Sequence, residues 1–387
     1  MPHILLKSHD NIAVDLDKKF KFIAKDNYDE KICVVDKDKE FLLTKVKKDS
    51  NDLIKLDIPT RFSPVSIMKE ALNDYATASK AEVLFTNTHS IHNNKIKPEE
   101  KYLKDINYFV DDFKTNKEIW VEVGFGSGTH LLHQAQQNPD KIIIGLEIHY
   151  PSIEQVLKHA KLQNIENILV VNYDARLFLE FLDSNSVGKV FVHFPVPWDK
   201  KPHRRVMSIG FIDECLRVLR IDGRLELRTD SPNYFEYSSG LLDHFKEYPN
   251  EILKNKDLDI TSKYEARWKK QEKDIWDIFI TSTQNSSEVK LDGNFDFPNS
   301  YDSEIVKSKI SKKAIIKDDY LIHFENVYEI DDSNIKGLLI KLTFGSFNKP
   351  VTKYIYLENT KMRYFQGDPI KTRINLEAHK TILDILK

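Results

Sequence analysis

Short β-branched and aromatic runs open the chain: Ile12–Val14, Phe20–Ile23, Ile32–Val35 and Phe41–Val46, divided by Asp/Lys turns such as Asp36-Lys37-Asp38-Lys39. Runs of this length between turn residues predict strands. After Ser63-Pro64, Ile67, Leu72 and Tyr75 recur near helical spacing and predict a helix. Polar residues dominate from Thr86 to Lys101, which reads as a linker. Beyond it the pattern changes to apolar strands alternating with helical periods. The strands are Ile119–Val123, Ile142–Glu147, Ile168–Asn172, Val190–Phe194 and Arg224–Thr229. Helical patterns pass through Leu131 and Ala135 and cover Ile153–Leu162, Leu177–Leu182 and Phe211–Leu219. Parallel strands need crossover helices, so this stretch predicts a Rossmann-like α/β fold with a mostly parallel, doubly wound sheet. A second polar stretch, Thr283–Asp302, precedes strand patterns at Leu321–Ile330, Leu338–Phe344 and Tyr354–Leu357 and a helix near Ala378–Leu386. The expected division is a mixed β-rich module with its linker over residues 1–100, an α/β domain over 101–283, and a small α+β module over 284–387.

Composition narrows the class. The chain has 387 residues, of which 41% are hydrophobic and 11% aromatic, enough for packed cores and too apolar for a disordered polyelectrolyte. Its apolar runs, such as Ile142-Ile143-Ile144, fall far short of the roughly 20 residues that a membrane helix needs. The opening Met1–Asp10 meets charges too early to hold a signal-peptide core. Two cysteines, Cys33 and Cys215, make no disulfide framework. These features lead to the expectation of a reduced, cytoplasmic protein without a membrane partner. Basic and acidic residues nearly balance, 58 against 60, which excludes a globally basic nucleic-acid coat but not a local basic groove. His130 and His133, and separately His89 and His92, have no third ligand nearby in sequence, so no metal is expected. His193 and Cys215 read as packing residues.

Glycine is scarce, 12 in all, yet Glu122-Val123-Gly124-Phe125-Gly126-Ser127-Gly128-Thr129 places three glycines between the first α/β strand and its helix. Glycines there let the backbone pass close to a ligand. Glu147 ends the second strand, where a carboxylate can accept hydrogen bonds from ribose hydroxyls, and Asp174 follows the third. A dinucleotide fingerprint would put Gly or Ala at Thr129, and no Arg or Lys stands near the turn to meet a pyrophosphate. Three acids around Gly124 and Gly126 suit a cationic ligand without phosphate, namely S-adenosylmethionine; the competing readings are a dinucleotide site and a vestigial glycine turn. The fourth strand runs into Phe194-Pro195-Val196-Pro197-Trp198, then Lys200, Lys201, His203, Arg204 and Arg205. A rigid aromatic beside clustered cations is what a displaced base and its phosphates need, the alternative being a solvated charged loop with Trp198 buried in the core. Asp230 closes the fifth strand, where it can accept from a guanine edge or cap the helix at Pro232. The helix-like stretch Thr261–Lys270 adds cations and aromatics.

Taken in order, these segments resemble the bacterial tRNA (guanine-N7)-methyltransferase family: Glu122 to Gly128, Gly145-Leu146-Glu147-Ile148-His149, Asp174-Ala175, Phe-Pro-x-Pro-Trp with its basic tail, Thr229-Asp230, and Ser262-Lys263-Tyr264-Glu265. The resemblance covers about Glu118–Ile280 and implies methyl transfer from S-adenosylmethionine to N7 of the variable-loop guanosine, position 46, of tRNA. It implies donor contacts at Glu122, Glu147 and Asp174, and tRNA contacts at Lys200, Asp230 and Ser262, Lys263, Tyr264 and Glu265. One position departs from the pattern. The family's Phe-Pro-Asp-Pro-Trp, with its proposed catalytic Asp, has Val196 here. Guanine N7 carries an in-plane lone pair and no proton at neutral pH, so alignment rather than base catalysis is the enzyme's task, and activity is expected. The alternatives are a non-catalytic tRNA-binding relative and a methyltransferase for another substrate. The expected assembly is a monomer or weak homodimer.

Overall fold

The computed structural model describes residues 2–10, 12–14, 19–36, 39–61, 65–88, 101–256, 274–331 and 336–387. They form two compact units, one made of 1–94 together with 291–387, the other of 95–290.

The first unit starts with β1 (His3–Lys7), β2 (Phe20–Lys25), β3 (Glu30–Asp36), β4 (Lys39–Lys48), β5 (Asn51–Leu56), α1 (Val65–Ser79) and β6 (Val83–Thr86). Antiparallel pairing runs from β2 to β5, and β1 sits between β5 and β6. Met68, Ala71, Leu72 and Tyr75 on α1 bury one sheet face, packing with Ile4, Leu6, Ile32, Phe41 and Ile54. Ile12–Val14, expected as a strand, has no regular pairing; Ile12 is buried in that same core as a loop residue.

The second unit carries β7 (Leu103–Lys104), β8 (Ile119–Val123), α2 (Thr129–Gln137), β9 (Ile142–Leu146), α3 (Tyr150–Leu162), β10 (Ile168–Val171) and α4 (Ala175–Phe178). It continues with β11 (Val187–His193), α5 (Ile209–Val218), β12 (Leu219–Thr229), α6 (Pro232–Leu241), β13 (Asn250–Lys254) and β14 (Trp276–Thr281). Strand order is β13-β14-β12-β11-β8-β9-β10-β7. Pairings among β7 to β12 are parallel, and β14 is antiparallel to both neighbours. Leu131, Leu132 and Ala135 of α2 and Ile153, Val156 and Leu157 of α3 pack on Trp120, Ile143, Ile168 and Val170, one face of β8 to β10. Strand order reverses at β8: the chain goes outward through β9 and β10, then returns to β8's other side with β11. Such a reversal opens a crevice at the carboxyl ends of the strands, where loops diverge.

The first unit is completed by α7 (Ser303–Lys309), β15 (Ile315–Ile316), β16 (Tyr320–Asp331), β17 (Lys336–Ser346), β18 (Val351–Glu358), β19 (Lys361–Tyr364) and α8 (Arg373–Leu386). β16 meets β2 at Glu329–Lys25, which joins the two terminal segments in one 11-stranded sheet. Phe22, Cys33 and Leu42 from the first segment share a core with Tyr328, Leu339, Tyr354 and Tyr356 from the last. Phe22 stacks on Tyr356 at 5.1 Å, and Tyr354 donates from its hydroxyl to Asp57 at 2.8 Å. Segments that sequence patterning places in two modules thus fold as one unit. The cause is the second face of β2 to β4: its apolar residues need cover, and the C-terminal meander supplies it.

Candidate active site

Beyond β8 the backbone turns through three left-handed glycines, Gly124, Gly126 and Gly128, at φ +66°, +52° and +71°. Gly124 N–H donates to Leu146 O at 2.8 Å, tying the turn to the end of β9. The Glu147 carboxylate does more. Oε2 accepts from Gly126 N–H at 3.0 Å, and Oε1 accepts from Ile148 N–H at 2.8 Å and His149 N–H at 2.9 Å. One side chain therefore sets the glycine turn against the start of α3. A carboxylate offers about four lone-pair positions, so Glu147 keeps capacity for a ligand hydroxyl. A Cβ on Gly124 would meet no atom within 4 Å, so the turn presents open space to a ligand. At Gly128 the missing Cβ has a different use: one there would lie 2.1 Å from Val156 Cγ2, so glycine lets α2 and α3 close on each other.

Glu122 is 3% exposed. Its Oε2 pairs with His130 Nδ1 at 2.9 Å, and His130 Nε2 lies 3.1 Å from the Gln134 amide nitrogen. The imidazole tautomer follows from these contacts: Nδ1 donates to the carboxylate. Burial works against a charge on His130, but the Glu122 charge and hydrogen bond outweigh it and its pKa is raised. The His193 ring packs 4.4 Å from that of His130. Burial first, then His130 and Arg228, push the His193 pKa well down, so this neighbour stays neutral. Sequence patterning expects His193 in the core; nothing in it pairs His130 with Glu122.

Asp174 caps α4, accepting from Arg176 N–H at 3.0 Å. Its oxygens also take the Arg176 side chain, Nε at 3.0 Å and Nη2 at 2.7 Å. The third acid is therefore charge-neutralised by an arginine two residues away, and the wall of three acids expected from sequence is less acidic than the sequence suggests. Beside Glu147, Ile148 is 74% exposed. An apolar side chain at the crevice suits a nucleobase face, and its signal was available in the Glu-Ile-His strand end.

The loop after β11 is bracketed by two aromatic residues in left-handed backbone, Phe194 (φ +49°) and Trp198 (φ +47°). Each costs on the order of 1–3 kcal/mol and persists because neighbours hold it; Phe194 N–H donates to Arg228 O at 2.7 Å. Between them Val196 is 61% exposed, and Trp198 is 37% exposed rather than buried. Arg205 is not part of the exposed cationic ledge. Its Nε donates to Pro197 O at 2.8 Å, and its guanidinium lies 4.4 Å from the Tyr237 ring centre, bracing the loop from below. Arg204 stacks over Trp198 at 5.1 Å, while Lys200, Lys201 and His203 are exposed.

Asp230 follows β12 and is half-buried. The cap of α6 is Ser231, whose Oγ accepts from Tyr234 N–H at 3.3 Å, which leaves Asp230 outside the capping role. Two residues earlier Arg228 is 1% exposed, and its Nη1 contacts both oxygens of Asp277 on β14 at 2.7 Å. Its Nη2 donates to Lys256 O at 2.9 Å. This pair fixes the strand end that carries Asp230. Ser262, Lys263, Tyr264 and Glu265 lie outside the described residues. Among the described residues no group of three His, Cys, Asp or Glu could hold a metal ion, and no helix is long and apolar enough to cross a membrane.

The crevice thus joins the glycine turn, Glu147 and exposed Ile148 on one side to the strained loop and cationic ledge on the other. These residues fit an adenosyl group with a sulfonium: hydroxyl acceptors, an apolar base face, an open turn and no Lys or Arg within the turn's own sequence. A family model described as "Putative methyltransferase" matches residues 116–278. A tRNA (guanine-N(7)-)-methyltransferase of Wolinella succinogenes is 40% identical over 361 residues, 92% of this chain and 90% of that protein. One from Campylobacter fetus subsp. fetus is 39% identical, covering 90% of this chain and 88% of its own. Among solved structures, an rRNA methylase from Streptococcus thermophilus superposes with TM-score 0.31 at 10% identity, covering 46% of this chain and 94% of that one.

Proposed function

From the membership of this chain in the tRNA (guanine-N(7)-)-methyltransferase family, we propose that it methylates N7 of a guanosine in tRNA with S-adenosylmethionine as donor, the target being the variable-loop guanosine at position 46. The observation that carries this reading is likeness at 40% identity over 92% of the chain. The glycine turn held by Glu147 supports it.

When bound, S-adenosylmethionine supplies a methyl group on a positively charged sulfur, poised for in-line displacement. The residues of the chain do the rest by placement. Gly124 and Gly126 leave room for the donor's backbone-like portion, Glu147 takes its ribose hydroxyls, and Ile148 covers a face of its base. Glu122 faces the donor's amino group. Asp174, paired with Arg176, serves as the cap that shapes the adenine end. On the other side Asp230 accepts from the guanine N1–H and exocyclic amine, and Lys200 meets a phosphate. Ser262, Lys263, Tyr264 and Glu265 are assigned to the tRNA by their motif. N7 needs no deprotonation, so Val196 in place of a carboxylate removes an orienting group and not a base. Holding two reactants in line is worth up to about 7–11 kcal/mol.

We place the methyltransferase domain at 101–283, within a Rossmann-like class I core, and read the protein as a cytoplasmic monomer or weak homodimer without a metal. The test is methyl transfer to tRNA transcripts with and without the variable-loop guanosine. Transfer only to the former is expected. Donor binding with no transfer to any unmodified tRNA overturns the reading in favour of a non-catalytic relative, and transfer that ignores the guanosine points to another substrate.

A further inference from the structure

Glu122 and His130 are an ion pair sunk below the glycine turn, one on β8 and the other in the first turn of α2, whose N-terminus faces the crevice. Glu122 has one oxygen on His130 Nδ1, so the imidazole sets the rotation of the carboxylate and leaves its other oxygen for a second donor. His130, unlike Glu122, also lines a cavity of about 270 Å³, together with His193, Lys189, Glu226 and Asp277 among others.

We propose that His130 is a positioning residue for the methyl donor: it orients Glu122, its loss of charge strengthens the site, and donor binding expels its proton. The inference rests on the reading that Glu122 meets the donor's amino group. With His130 protonated the pair is neutral overall. With His130 neutral the pair carries one negative charge a few ångströms from an ammonium and a sulfonium. Donor affinity therefore rises as pH rises through the His130 titration, and linkage requires the bound donor to displace the proton.

The groups facing His130 support this assignment of the proton. Glu122 on β8 favours the charged imidazole; so does Glu226 on β12, while Lys189 on β11 opposes it. Glu226 is tied to Lys189 at 3.6 Å, and Asp277 on β14 is tied to Arg228 of β12. His193 on β11 is held neutral. His133 and Gln134 complete the surround from α2 itself, and Arg224 and Lys256 also line the cavity. Among these groups, His130 is the one whose charge is balanced between burial and an adjacent carboxylate.

The experiment is calorimetric binding of S-adenosylmethionine to the full chain at pH 6 to 8, in buffers of different ionisation enthalpy, which counts protons directly. The donor's own amino group titrates in this region, so the reading is the difference between wild type and variants. His130→Asn keeps a donor nitrogen at the Nδ1 position but cannot titrate. Wild type is expected to release a fraction of a proton more than His130→Asn, and to gain about tenfold in affinity relative to it across the range, the effect of one partly screened charge at close quarters. His130→Leu, without the donor nitrogen, binds weakly at every pH. His133→Gln, a change of neighbour, retains the wild-type proton release. Equal proton release in wild type and His130→Asn overturns the inference. Should His130→Asn not fold, a wild-type proton count no greater than that of the donor's amino group overturns it equally. Glu122→Gln separates the two readings: if it binds the donor as tightly as wild type, the assignment of Glu122 itself fails. If it binds weakly while His130→Asn keeps the pH response, the inference about His130 alone fails.

Discussion

Removing the negative half of the buried pair Arg228–Asp277 tests whether the substrate-side strand end is held electrostatically. In Asp277→Asn the Arg228 guanidinium, 1% exposed, loses the carboxylate charge and one of the two oxygens that Nη1 meets at 2.7 Å, while its Nη2 bond to Lys256 O is unchanged. Breaking a buried pair from one side costs about 3–5 kcal/mol, because the remaining charge stays desolvated and uncompensated. For a cooperative unit of roughly 200 residues that lowers Tm by about 6–20 °C. All four tryptophans, Trp120, Trp198, Trp268 and Trp276, fall within 95–290, so intrinsic fluorescence reports the melting of this unit. The companion Arg228→Met with Asp277→Leu removes both charges and fills similar volume. It is expected to recover most of the loss, to within about 1 kcal/mol of wild type. Asp277→Asn within 1 kcal/mol of wild type, or a double variant no better than the single, would refute the reasoning. The functional consequence is separate: Arg228 O receives Phe194 N–H, and Asp230 follows two residues on, so KM for tRNA should rise in Asp277→Asn at temperatures where it remains folded.

Three further outcomes follow from the same geometry. In Glu147→Gln the amide N–H₂ must face either the Gly126 N–H or the N–H groups of Ile148 and His149, donor against donor, so at least one charge-assisted bond worth about 1.5–3 kcal/mol is lost; calorimetry should show donor affinity down at least tenfold, and a change under twofold would reject the role. Gly128→Ala combines a left-handed alanine, about 1–2 kcal/mol, with the overlap on Val156 Cγ2, and urea unfolding should show a larger total that Val156→Ala relieves only in part. Lys200→Ala is expected to raise KM for tRNA and lessen its log–log salt dependence by about one, whereas Arg205→Ala lowers Tm through loss of the Pro197 and Tyr237 contacts; the reverse pattern in binding and melting would contradict the division between ledge and brace.

Legibility in the sequence followed the number of neighbours a residue needs. β8, β9, β10 and β11 are short β-branched runs bounded by turns because helices or strands cover them, and that pattern is local. β13, Asn250–Lys254, is largely exposed and carries no such run, and β5 begins inside a polar turn, so neither stood out. Ile12–Val14 shows the opposite error: apolar residues buried as a loop imitate a strand. The joining of the terminal segments could not be read at all, since Lys25 and Glu329 are related only by sheet register. At the site, Gly124, Gly126 and Glu147 were legible because turn chemistry ties each to a strand end. Arg228 and Asp277 were not: 49 residues apart, they meet because β12 and β14 pair them. Arg205 read as one of five equivalent cations, and only its contacts with Pro197 and Tyr237 set it apart.

The charge of the donor site is where sequence and structure diverge with the largest consequence. Counted along the chain it has three acids. In space Glu122 is paired with His130 and Asp174 with Arg176, and Glu147 is the one of the three without a cationic side-chain partner among the described residues. Recognition of a sulfonium therefore draws on less negative potential than three free carboxylates would provide, which limits how strongly the site distinguishes the charged donor from the uncharged thioether left after transfer. Arg176→Gln tests this directly. It keeps side-chain donors near Asp174 while removing the positive charge, so the site gains one net negative charge. At several ångströms and in a half-exposed crevice that is worth about 1 kcal/mol toward a cation. Donor affinity should tighten a few-fold while that of S-adenosylhomocysteine, neutral at sulfur, moves less, both measured by calorimetry at constant ionic strength. Added salt should shrink the difference. If the two ligands shift by the same factor, Arg176 acts through the shape of the α4 cap and not through charge; if the donor alone weakens, the electrostatic account of selectivity is wrong.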